Sequence, residues 1–188
     1  MSTAMQEWPR RHRITVDRYY RMAEVGLFQP DERVELINGE IIDMLPMGSG
    51  HASKLQRLAA ALTVALDGRA ILRPQLPLRL SEDSEPMPDI AVVALRPDLY
   101  ETGHPGAADA LLVIELSEST LRYDRDVKVP MYALSGVPEV WIVDLKANQL
   151  RVYRHPRDGV YAATEVRGLA RMSLAALPGV EIDLSTLS

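Results

Sequence analysis

Leu111-Leu112-Val113-Ile114-Glu115-Leu116-Ser117 is an apolar run with one carboxylate near its end. A short continuous apolar stretch reads as a strand buried on both faces, the kind found in sheets covered by helices. Glu115 inside it must be paired, hydrogen-bonded or bound to a cation, because a bare charge in an apolar setting is too costly to keep. Upstream, Pro88-Asp89 opens a second strand-like run, Ile90-Ala91-Val92-Val93-Ala94-Leu95, and Lys128 follows in the segment after Glu115. If adjacent strands bring Asp89 and Glu115 together, their like charges repel, and a divalent cation with oxygen ligands is the simplest relief.

Composition permits an enzyme without naming one. The 188 residues suit one domain spanning 1–188, with 47% hydrophobic and 25% charged residues. No apolar run approaches the roughly 18 to 20 residues that cross a bilayer, so no membrane association is expected. The chain has no cysteine, which excludes disulfides, thiolate nucleophiles and cysteine-ligated zinc. The N-terminus lacks the layout of a signal peptide, and the cytoplasm is the expected compartment. A formal net charge of -5 gives no overall attraction to phosphates, so a nucleic-acid ligand has to be drawn by a local basic patch or through a bound cation.

Working outward, helix and strand signals alternate without repeats. Thr15 caps a short helix through Val25, stopped by Gly26. The runs 33–37 and 40–44 flank Asn38-Gly39, the strongest hairpin signal in the chain. The leucines at 55, 58, 62 and 66 predict a helix from about Gly50 to Leu66. Extended segments are expected at 70–73, 76–80 and 88–95, then a loop over 96–109 and the strand at 110–117. Pro130 makes the following helix start late or kink. Antiparallel strands are expected at 139–144 and 149–154, with a short one near 180–184. The sum is an α/β fold, a mixed sheet with helices packed on it.

Asp89, Glu115 and Lys128 suit phosphodiester hydrolysis. Carboxylate oxygens favour Mg²⁺ or Mn²⁺, which lowers the pKa of a bound water and neutralises charge growing on phosphorus. A lysine adds a point charge or positions the water. Each residue also has a plainer reading: Asp after Pro opens turns, a core glutamate pairs with an arginine, and a lone lysine is solvated. Glu35 and Glu40 flank the Asn-Gly turn as accessory candidates or as exposed strand carboxylates. His51 at a helix start binds phosphate or metal, or is a surface hydrogen-bonding residue. Arg10, Arg11, His12 and Arg13 beside Trp8 form a basic stretch that touches nucleic acid or is a solvated terminus.

At these residues the sequence resembles the Uma-two (Uma2) family, a branch of the PD-(D/E)XK or restriction-endonuclease-like superfamily. The resemblance runs through Val34 to Glu40, His51, Pro88-Asp89, Val113 to Ser117, Thr120, Asp124, Lys128, Tyr132 and Gly136 to Asp144, or roughly residues 15 to 155. It implies a restriction-endonuclease-like mixed central sheet flanked by helices with an N-terminal β-hairpin. It further implies Asp89 and Glu115 as metal ligands, Lys128 as catalytic lysine, Glu40 as an accessory catalytic acid, and His51, Glu35 and Ser117 as further candidates. In the wider superfamily the lysine lies two residues after the glutamate, where this chain has Ser117, so Lys128 has to reach the site from the next helix. The expected function is Mg²⁺- or Mn²⁺-dependent hydrolysis of DNA. Two alternatives stand beside it: a non-catalytic nucleic-acid-binding or regulatory module, and an assembly protein that forms a homodimer through a free strand edge near 149–154.

Overall fold

In the computed structural model, which describes residues 11–188, the chain is built around a mixed sheet. The Thr15 hydroxyl accepts from the Arg18 amide to cap helix α1 (Val16–Glu24), and Gly26 at φ +73° follows its end. Trp8 and Arg10 of the basic stretch lie outside the described residues. Asn38 and Gly39, at φ +50° and +74°, make the tight turn joining strands β1 (Val34–Ile37) and β2 (Glu40–Asp43). Helix α2 (Ser49–Leu66) buries Leu55, Leu58, Leu62 and Leu66 and stops at Asp67 in the left-handed region.

Strands β3 (Ala70–Pro74), β4 (Ile90–Ala94), β5 (Ala110–Ser117), β6 (Glu139–Asp144), β7 (Gln149–Arg157) and β8 (Val160–Gly168) hydrogen-bond in that order. β5 and β6 are parallel and every other neighbouring pair of the six is antiparallel. A parallel pair needs a crossover. Here it is helical: α3 (Leu121–Tyr123), a π-helical turn (Asp124–Lys128) and α4 (Val129–Leu134) run on without a break. A small hairpin of β9 (Arg171–Ser173) and β10 (Glu181–Asp183) ends the described fold.

Alternation along the strands sorts the core into two faces. Leu112, Ile114 and Leu116 of β5 pack with the α2 leucines and with Met172 and Ile182 of β9 and β10. Val113, its neighbour on the opposite face, packs with Ile37, Met131 and Tyr132. Glu115 and Ser117 share the parity of Val113 and therefore face the crossover helix.

Two sequence expectations change. Residues 76–80 join none of the named strands: Leu78 donates to the Pro86 carbonyl and Leu80 to that of Ser84, both at 3.0 Å, and Arg79 makes an isolated bridge to Gly106. Pro77 lacks the donor a ladder needs. The edge expected near 149–154 is not free, because β8 pairs with β7 from Gln149↔Gly168 to Arg157↔Val160. β8 is exposed along most of its length, so it has no apolar alternation to announce it, although Asp158-Gly159 at positive φ marks the turn.

Candidate active site

The antiparallel register of β4 with β5 pairs Ile90 with Ile114. One step further sets Asp89 against Glu115. The Asp89 amide donates to Glu115 Oε2 at 3.3 Å, and the Leu116 amide to Asp89 Oδ2 at 2.8 Å. Asp89 Oδ1 meets His51 Nε2, from the first turn of α2, at 3.2 Å and accepts from Gln75 Nε2 at 3.3 Å. Two backbone-fixed carboxylates thus sit side by side at the sheet's end.

The crossover helix supplies the remainder. Pro130 has no amide and crowds the carbonyl four residues back, and the widened turn before it accommodates that crowding. Val129 donates five residues back, to the Asp124 carbonyl, and Asp124 and Lys128 are both buried. Lys128 Nζ lies 3.3 Å from Glu115 Oε1 and 3.2 Å from Glu35 Oε1. The Tyr132 hydroxyl donates to Glu115 Oε1 at 2.7 Å. Asp124 Oδ2 accepts from Ser117 Oγ at 2.7 Å and Thr120 Oγ1 at 2.6 Å, and Glu35 Oε2 from the Met87 amide at 3.0 Å.

Burial sets the electrostatics. It pushes the Glu115 carboxyl up to about 8, with Asp124 and Asp89 adding to the rise and Lys128 and the Tyr132 hydrogen bond opposing it. Burial raises Asp124 as well, against its two hydroxyl donors and Lys128. For Lys128 burial disfavours the charge, yet Glu115, Glu35 and Asp124 outweigh it and keep the ammonium charged. The hydrogen bond to Asp89 raises His51 above its ordinary value, against burial.

These groups open into a cleft of about 440 Å³. Asp89, Glu115, Lys128, His51 and Glu35 line it, and Ser117 sits behind it holding Asp124. Glu40 does not join them: it is exposed on β2 and pairs with Arg11 at 2.8 Å. Asp124 and Tyr132, matched in the sequence but not singled out as site residues, are integral to the cluster. Asp124 stands in a charged stretch, Arg122 to Lys128, where a carboxylate reads as solvated, and Tyr132 in an apolar helix, where a tyrosine reads as core.

Among the described residues no three His, Asp or Glu side chains converge as a ready-made cation cage. The donor set nonetheless fits Mg²⁺ or Mn²⁺. Four carboxylates, of Glu35, Asp89, Glu115 and Asp124, share the cleft with the Lys128 ammonium, and Mg²⁺ characteristically leans on one or two carboxylates while keeping its waters.

A mixed six-stranded sheet flanked by helices, with a hairpin near the N-terminus, is a restriction-endonuclease-like fold. The chain belongs to the Uma2 family, described as "Putative restriction endonuclease", whose model matches residues 16–185. Among solved structures it is similar to "a putative nuclease belonging to DUF820" from Anabaena variabilis ATCC 29413, with a TM-score of 0.68 and 19% identity over 93% of this chain and 97% of that one. At that identity the likeness concerns the fold. No curated protein matches the chain.

Proposed function

We propose that the protein is a Mg²⁺- or Mn²⁺-dependent nuclease that hydrolyses phosphodiester bonds of DNA in the cleft at Asp89 and Glu115. The observation that carries this reading is the pairing of two strand-end carboxylates, with a buried lysine 3.3 Å from one of them. Asp89 and Glu115 would hold the cation, which when bound supplies a more acidic water and offsets charge on the phosphate.

The chain's own residues do the rest. The Leu116 amide, His51 and Gln75 fix the Asp89 carboxylate, and Tyr132 fixes that of Glu115. Lys128 contributes a permanent positive charge for a phosphoryl oxygen, positioned in a water-poor setting where such a charge is most effective. Hydrolysis joins the water oxygen to phosphorus and breaks one bridging phosphorus–oxygen bond. One water proton ends on the leaving alcohol and the other in solvent.

The test is cleavage of plasmid DNA in Mn²⁺ by the parent, Lys128→Ala and Lys54→Ala, the last on α2 away from the cluster. The reading expects the parent and Lys54→Ala to cut and Lys128→Ala to bind Mn²⁺ without cutting. A parent that cuts no DNA or RNA form contradicts it. A second reading, a binding module that retains the fold, is favoured by the full engagement of Asp89, Glu115 and Lys128 with one another's neighbours; DNA binding in chelator with no cleavage would support it. We also expect a homodimer, now through the outer edge of β8, since unpaired edges invite pairing. Sedimentation showing monomer alone at high concentration removes it.

A further inference from the structure

Part of the cleft lining is apolar. The segment Met44-Leu45-Pro46-Met47, between β2 and α2, contributes to it together with Ile42 and Met87. Its base is fixed, because the Met44 amide donates to the Arg33 carbonyl at 2.9 Å, and Met47 packs against the core under α2. Leu45 is 65% exposed at the rim and has no such core contact among the described residues.

Charge and size restrict what can enter. The lining carries six acidic side chains, Glu35, Asp43, Asp89, Glu115, Glu118 and Asp124, against Arg33 and Lys128 as lysine or arginine. Lys128 is already held by two carboxylates. Binding a duplex through its backbone takes an array of cations, and among the described residues the lining offers only Arg33 and Lys128 as lysine or arginine. Asp43 and Glu118 are exposed and repel a second strand. At about 440 Å³ the cleft is on the scale of pockets that enclose one small molecule.

We propose that the cleft admits one unpaired nucleotide, its base lying on the Met44–Met47 lip and its phosphate over Asp89 and Glu115, so that the substrate is single-stranded nucleic acid. This rests on the nuclease reading and narrows its substrate. An unstacked base offers an uncharged flat face that an apolar wall can cover, whereas a paired base keeps that face in its own stack. Methionine side chains bend to fit different shapes, so the lip accepts any base and confers no sequence preference.

The experiment compares a single-stranded oligonucleotide with the duplex of the same sequence, both in Mn²⁺, for the parent and Leu45→Ser. Leu45 is exposed and serine is uncharged, so the substitution removes the apolar contact without adding a carboxylate to the cleft. The expected result is faster cutting of the single strand, and in Leu45→Ser a KM for it raised about 5-fold, the low end of one lost base contact, with Mn²⁺ affinity unchanged. Duplex cut as fast as single strand, or a Leu45→Ser KM equal to the parent's, overturns the inference. If the parent cuts neither, anisotropy of fluorescein-labelled oligothymidylate in Mn²⁺ separates the two ideas. Binding that is tighter than to duplex and weakened in Leu45→Ser upholds the cleft assignment while the nuclease reading falls; binding indifferent to strandedness or to Leu45, or no binding, overturns the assignment too.

Discussion

Glu115 is the residue on which the site turns, since its carboxyl is buried, raised to about 8, and beside Asp89. Above pH 8, where the Glu115 carboxyl is ionised, Asp89→Asn and Glu115→Gln each remove a repelling charge, so Tm without metal should hold or rise there while calorimetric Mn²⁺ affinity falls. Mn²⁺ titrations unchanged in both variants would remove the metal site. A carboxyl whose folded pKa lies near 8 against an ordinary 4.5 binds its proton more tightly when folded. Its stabilising contribution is complete below pH 4.5 and is lost as pH rises through 8. Asp124, also raised, has the same sign. Metal-free Tm should therefore decline across that window, and Glu115→Gln should flatten the decline; an equally steep fall in the variant contradicts the assignment. Lys128→Ala leaves Glu35 and Glu115 facing each other in a buried site, a loss of about 3 to 5 kcal/mol by denaturant titration. Unaltered stability would mean that the ion pairs are not formed in solution.

At the scale of elements, the π turn decides which side chains of the crossover helix reach the sheet. Pro130 is exposed, so Pro130→Ala leaves no cavity, but it restores an amide that can bond the Asp126 carbonyl in ordinary α geometry. The turn should then rewind and rotate Lys128 off Glu115, lowering Mn²⁺-dependent cleavage with Mn²⁺ affinity intact. Parental activity in that variant would assign the turn to the Asp124 hydrogen bonds with Ser117 and Thr120 instead. The elements differ in how far their sequences disclosed them. Asn38-Gly39, the α2 leucines and the apolar run of β5 are local patterns, and each lies where its pattern says. Glu35 and Glu40 are different: the hairpin register sets Glu35 against Ile42 and Glu40 against Ile37, so both lie on one face, parity does not separate them, and it is Glu35, away from the turn, that meets Lys128. Asp124 and Tyr132 acquire their roles from a helical register that local sequence does not encode. β8 was hidden because an exposed strand has no apolar alternation.

For the molecule as a whole, the net charge of -5 and the acidic cleft point the same way: whatever phosphate binds here arrives with a cation. No helix among the described residues is long and apolar enough to cross a membrane. The sheet order and its single parallel pair bring residues from β1, α2, β4, β5 and the crossover helix to one end, although Glu35 and Lys128 are far apart in the chain. That convergence was legible as a pair of strand-end carboxylates, and its supporting hydrogen bonds were not. If Asp89 and Glu115 together hold a divalent cation, a crystal soaked with Mn²⁺ and read by anomalous scattering will show one Mn²⁺ bonded to oxygens of both carboxylates at roughly 2.0 to 2.3 Å, near the Mg²⁺ range. A saturated soak with Mn²⁺ elsewhere, or with Lys128 still between Glu35 and Glu115 and no metal beside them, would contradict a shared cation there.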